Sequence, residues 1–345
     1  MDSSIALILL QDGIVNGSIY ALLGMALVLV FAVTRVIFIP QGEFVAFGAL
    51  TLAMLVDGRV PGTVYLLVLL GCLAFVLELL RAVRTRVWSS LPKSLAGFVV
   101  LPLVLLWIAT SYAAAGNSLW LNMLLTLVLV ISMGPMVYRI VYQPLAEASV
   151  LVLLITSVAV HFALMGLALV FFGAEGWRTP AFVNGQVDLG FTTWSAQSLF
   201  VVATCAILIV ALWLFFGKTL YGRALRATAV NRRGARLMGI STTMSGSLTF
   251  TLAVAIGAMS GMLIAPITTV YYDTGFLIGL KGFVGAIIGG LASYPVAAAG
   301  SLLVGVLESF SSFWASSYKE VIVFTLIIPV LVWRSFSSRH VDEEE

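Results

Sequence analysis

The sequence predicts an all-α protein: a polytopic bundle of transmembrane helices with about 8–11 spans, at roughly 20 residues per crossing. Three observations predict it. Of 345 residues, 61% are hydrophobic and 10% are charged, against about 25% charged in an average soluble domain. So little polar material cannot cover a globule of this size in water, and the surface must face lipid. The apolar residues come in long continuous runs, not in the short alternating segments of a membrane barrel. Within lipid each segment must pair its own backbone groups, which continuous runs do as helices.

In chain order the runs fall near 5–33, 42–56, 63–80, 95–113, 119–137, 149–172, 197–216, 245–269, 277–292, 296–314 and 319–333. The first has no Lys or Arg ahead of it, unlike a secretory signal, and reads as a retained span. Its Asn16-Gly17-Ser18 leaves room for a bend or break. The 277–292 run is short and glycine-rich, which leaves a re-entrant course open. Residues 1–333 read as one membrane domain and 334–345 as a tail.

The charges between the runs orient the chain. Residues 217–241 read GKTLYGRALRATAVNRRGARLMGIS, with Lys218, Arg223, Arg226, Arg232, Arg233, Arg236 and no acid. With 217–244 in the cytoplasm and the spans alternating, Arg35, Arg81, Arg84, Arg86, Lys93, Arg139, Arg334 and Arg339 fall on that same side. Only Arg59, Arg178, Lys281 and Lys319 fall opposite. Basic residues favour the cytoplasmic face, so the N-terminus is expected outside and the C-terminus inside. The longest outer loop, 173–195, is rich in turn formers; it suits a plain connection or a docking surface.

Glu43, Glu78, His161, Asp273, Lys281 and Glu308 lie in or beside spans, where charge is costly and often marks a solute path. Glu78 and Asp273 read as reaching the interface, while Glu43 and Glu308 divide evenly between interface and path. Gly13 and Gly17, Gly257 and Gly261, and Gly285 and Gly289 are spaced for close helix packing. Cys72 and Cys205 read as small core residues. His161 and His340 stand isolated in the sequence, without metal-ligand spacing. No phosphate loop or hydrolase motif is present, which disfavours an enzyme. Two classes remain: a subunit of a larger transporter, or a secondary transporter or channel acting alone. No acids recur at helical spacing, which weakens a proton-driven carrier.

Within the basic stretch, Asn231 can cap a short helix, RRGARLM, that Gly239 would end. Arg232 and Arg236 then share a face. A lipid-facing basic loop needs no such helix, so the segment reads as a handle for a soluble partner.

The pattern GRALRATAVNRRGARLMGIS resembles the coupling region of bacterial branched-chain amino-acid ABC transporter permeases of the LivH type. Gly222, Arg223, Ala224, Arg226, Ala227, Ala229, Ala235, Gly239 and Ile240 carry that likeness. Downstream, GLKGFVGAIIGGLASYPVAAAGSLLVGVLES is similar through Lys281, Phe283, Ala286, Gly289, Gly290, Ser293, Gly300, Gly305 and Glu308. Near the start, NGSIYALLGMALVLVFAVTRVIF is similar as well. After Arg35 the chain keeps Gly42 and Glu43 but has Phe38 and Gln41 where the family usually has Asn and His, and Gly282 stands where Ala is common.

The resemblance implies an inner-membrane permease that imports branched-chain amino acids or a related small polar solute. It implies a second similar permease, two cytoplasmic ATPases and a periplasmic binding protein as partners. ATP and Mg would bind those ATPases, with no cofactor, metal or nucleic acid on this chain. Gly222, Arg223, Arg226, Arg232, Arg236 and Gly239 would couple to the ATPases; Asn16, Gln41, Glu43 and Lys281 would lie along the solute path.

Overall fold

The computed structural model describes residues 3–86, 88–89, 91–115, 118–188 and 193–337. Among them, nine helical segments are long and apolar enough to cross a membrane. Two shorter apolar helices, Gln41–Val56 and Thr274–Ile288, accompany them. At 1.5 Å per residue these reach only about 22–24 Å, short of the roughly 30 Å hydrocarbon layer. The protein is an all-α, multi-pass membrane protein. By contacts the chain divides into two compact units, 1–28 with 183–206 and 280–345, and 29–182 with 207–279.

In the first unit, α1 (Ser3–Thr34) enters as a helix without interruption. The bend allowed for at Asn16-Gly17-Ser18 does not occur. The small residues serve contact instead: a Cβ on Gly17 would stand 2.9 Å from Leu302 Cα, and one on Gly13 2.6 Å from Val306 Cα. Both partners lie on α13 (Tyr294–Trp314). The end of α12 (Thr274–Ile288) follows the same rule, since Gly285 abuts Ser301 and Gly289 meets Ala297. The run expected over 319–333 is two helices, α14 (Lys319–Thr325) and α15 (Ile327–Ser337), so helix continues into the expected tail. The remainder of that tail, including Arg339 and His340, lies outside the described residues. Within 173–195 turn composition did not show two short strands: β1 (Gln186–Asp188) pairs antiparallel with β2 (Thr193–Ser195).

In the second unit α2 (Gln41–Val56) is the central element, buried along nearly its whole length. It packs on α11 (Thr242–Ile264) through glycines on both sides. A Cβ on Gly48 would lie 2.7 Å from Ala258 Cα, one on Gly257 would lie 3.1 Å from Phe44 Cβ, and Gly261 abuts the Val45 backbone. The α11 run stops five residues earlier than the hydropathy suggests. Pro266 supplies no N–H and follows closely on the helix end, as prolines often do. α6 (Leu119–Val137) carries Pro135 within it and is followed by a π-helical turn, Tyr138–Tyr142, two features that each bend helices. α3 (Thr63–Thr85) packs on α6, and α4 (Leu91–Leu95) and α5 (Leu101–Ala115) pack on α3. α7 (Val150–Phe172) buries the single stripe Leu153, Ser157, His161, Leu164, Ala168 and Phe172. Cys72, expected in the core, is exposed on α3, where a thiol among lipid-facing residues needs no partner; Cys205 is buried.

Candidate functional site

The basic stretch folds into a corner of two helices. The 23-residue α8 (Ala196–Lys218) ends at Lys218, and the Thr219 hydroxyl accepts a hydrogen bond from Gly222 N at 3.0 Å. That cap starts α9 (Leu220–Val230), a helix the sequence reading missed although Thr219 is an N-cap residue type. Gly222 lets α9 fold back tightly, with Phe216 Cα 2.7 Å from the position a Cβ would take. The buried residues of α9 are Gly222, Leu225 and Thr228, one face only.

Asn231 then ends α9 and caps α10 (Arg232–Leu237), its Oδ1 accepting from Gly234 N at 2.8 Å. Gly239 sits at φ +80°, a left-handed conformation that glycine adopts without strain. Ile240 N bonds Ala235 O at 2.9 Å and Gly239 N bonds Arg236 O at 3.0 Å, the paired bonds of a Schellman C-cap.

The arginines divide by role. Arg232 Nη1 donates to Ala146 O at 2.9 Å, and Arg236 Nε donates to Thr242 Oγ1 at 3.0 Å. Arg236 also lies 3.7 Å from the Glu147 carboxylate. These two side chains brace the corner against its own neighbours. Arg223 and Arg226 are exposed instead, and line an open groove with Ala227, Val230, Gly234 and Met238. Val230, Leu237 and Met238 are 87%, 89% and 82% exposed. Charged heads and bare apolar side chains therefore share one surface.

Charges at membrane depth are placed differently. Glu43 Oε1 meets His161 Nδ1 at 2.9 Å, both residues at most 2% exposed. His161, isolated in the sequence, thus has a partner 118 positions away. Gln41 Nε2 donates to Ala253 O at 2.9 Å. Residues two apart on a helix do not share a face; Gln41 turns to α11 while Glu43 turns to α7. The two expected pathway residues therefore do not form one site.

In the other unit Lys281 Nζ lies 2.6 Å from Glu308 and 3.1 Å from Glu320, and the Tyr20 hydroxyl donates to Glu308 at 2.7 Å. Lys281 is committed to acids of its own unit. Asn16 is half-buried on α1. Glu78 does not reach out to the interface: it is buried and ion-paired with Arg139, while Asp273 is exposed.

Among the described residues the arrangement holds no nucleophile–base pair at an open cleft. It offers a protruding corner suited to a partner and buried polar groups along the spans. The family model for the permease component of branched-chain amino acid transport systems matches residues 94–331. This chain belongs to that permease family. The branched-chain amino acid permease match takes in α9, α10, α11, Lys281, Glu308 and Glu320, and begins after Tyr20 and Glu43. Over 209 residues the permease is 33% identical to the high-affinity branched-chain amino acid transport system permease protein LivH of Salmonella typhimurium, covering 58% of this chain and 67% of that one. It is 27% identical over 259 residues to the probable LivH of Methanocaldococcus jannaschii, 67% of this chain and 82% of that one. The L-arabinose transport system permease protein AraH of Escherichia coli is 27% identical over 190 residues, 51% of this chain and 55% of that one. No solved structure matches.

Proposed function

We propose that this permease is the membrane subunit of an ATP-driven ABC importer in the bacterial inner membrane, moving branched-chain amino acids or a related small polar solute from periplasm to cytoplasm. Its N-terminus is periplasmic and its C-terminus cytoplasmic, in line with the distribution of Lys and Arg. It works with a second similar permease, two cytoplasmic ATPases that bind ATP and Mg, and a periplasmic binding protein. The chain itself carries out no covalent chemistry. The amino-acid class follows the LivH relatives.

The observation that carries this reading is the α9–α10 corner within 217–244. It is capped at each helix start, closed by a Schellman turn, and braced by Arg232 and Arg236. It still leaves Val230, Leu237 and Met238 bare. A segment that only attracts anionic headgroups needs charge, at about 1 kcal/mol per basic residue, and no such scaffold. The corner is rigid enough to transmit a push, and its groove with Arg223 and Arg226 supplies the contact with an ATPase.

The test is copurification of the ATPases and solute-stimulated ATP hydrolysis in reconstituted complexes. Arg226→Lys keeps the charge but loses the forked, planar donor set. Gly239→Val forces a β-branched residue to φ +80°. Each is expected to lower stimulated hydrolysis at least fivefold or to release the ATPases. Wild-type assembly and coupling in both variants would leave the basic segment as a topology signal only.

A further inference from the structure

Glu43 is a buried charge that pairing within the protein uses at only one of its two oxygens. It lies in the first turn of α2, where the partial positive charge of a helix N-terminus favours a carboxylate. Its Oε1 bonds His161. Its Oε2 is also sealed from solvent and has no hydrogen-bond partner among the described residues. Leaving a charged oxygen buried and unbonded is costly, and the fold pays this at a defined place.

That place is mid-span. His161 is the twelfth of the 23 residues of α7. Gly257 of α11 touches the first turn of α2, and Gln41 bonds Ala253, the twelfth of the 23 residues of α11. A third helix closes the site. The first turns of α2 and α12 meet through Gly42 and Gly275, where a Cβ on Gly42 would stand 2.7 Å from Gly275 C. This contact brings Phe276 over the His161 ring, with centroids 4.3 Å apart and planes at 23°. One helical turn beyond Glu43, Phe47 faces Phe172 of α7 at 5.9 Å. The carboxylate is therefore flanked by apolar aromatic walls.

Two short helices that start within the bilayer, with a polar group at their junction, are a recurrent way to build a solute site in a transporter. Here the free group is an acceptor with negative charge. It suits a donor cation of small size, and the aromatic walls suit an apolar body attached to it. An α-amino acid with an aliphatic side chain combines the two.

We propose that Glu43 Oε2 receives the α-ammonium group of the solute as it passes through the permease, with His161 holding the carboxylate in place through Oε1. Glu43 is the specificity residue and His161 the positioning residue. The proposal rests on the importer reading above and adds a recognition point to it.

The experiment uses the whole complex in proteoliposomes, with binding protein loaded with leucine in excess and assembly followed by copurification. Glu43→Gln keeps the shape and a hydrogen-bonding group but removes the charge; initial leucine uptake should fall at least tenfold in a fully assembled complex. Glu43→Asp keeps the charge and should retain more uptake than Glu43→Gln. His161→Gln leaves the carboxylate and should cost threefold at most. Equal losses in Glu43→Gln and His161→Gln would make the pair a packing element and overturn the proposal, as would uptake above half of wild type in Glu43→Gln. Absence of ATP-dependent leucine uptake in the unaltered complex would instead strike the importer reading, and the leucine site with it.

Discussion

The α9–α10 corner and the spans handle charge in opposite ways. In the corner Lys218, Arg223, Arg226 and Arg233 stand exposed. Water solvates them, so they need no partner, and surface ion pairs there would add little. At membrane depth Lys281, Glu308, Glu43 and His161 are all at most 8% exposed, and each is held by another side chain. A buried charge keeps its place only with a partner, because losing the partner strands it in a low dielectric. The difference shows how to tell a surface kept for something outside from a group held by the fold: the first is unpaired in water, the second is paired away from it. Glu43 is the exception among these four, since one of its oxygens has no such hold.

The largest effect that would break this comparison is expected at Lys281. Lys281→Met leaves Glu308 and Glu320 facing each other at a mostly buried site. It should cost about 3–5 kcal/mol, the range seen when one partner of a buried ion pair is removed. Thermal unfolding of the purified permease in detergent measures it; a midpoint equal to wild type would mean that the depth charges are not held by pairing. A smaller effect is expected at the corner's cap. Asn231→Ala removes the acceptor for Gly234 N and should weaken α10 by about 1 kcal/mol. Amide exchange over residues 232–238 should speed up by roughly fivefold, with global unfolding unchanged. The smallest belongs to Arg233, exposed in α10. Arg233→Ala should shift stability by no more than about 0.5 kcal/mol, and a larger loss in the same unfolding assay would show a hidden partner.

Much of the fold was legible because lipid leaves few choices. Long apolar runs had to be helices, and the capping residues of α10 could be named from Asn231 and Gly239 alone, since their roles depend on local backbone geometry. The misreadings share a cause. The bend allowed at Asn16-Gly17-Ser18 did not form, since Gly17 packs on Leu302 as its spacing from Gly13 implied, and Cys72 looked like core but lies on the exposed face of α3. Both depend on which side of a helix meets another helix. α9 was marked by Gly222, Leu225 and Thr228 recurring along one face, a spacing that the density of basic residues around it obscured. Arg232 and Arg236 were legible as a pair on one face, yet their partners Ala146 and Thr242 were not.

The sequence by itself determined that this is a membrane-embedded helical permease with one dense basic segment. Composition, run length and local caps act within a few residues and need no tertiary contact. Only the tertiary structure decided which charges are spent inside the fold and which remain free. Glu43 finds His161 across 118 positions, because the packed fold sets α2 beside α7, just as glycines at 42, 257, 261 and 275 seat α2 against α11 and α12. Hydropathy along the chain records none of that, since it is a property of distances between helices.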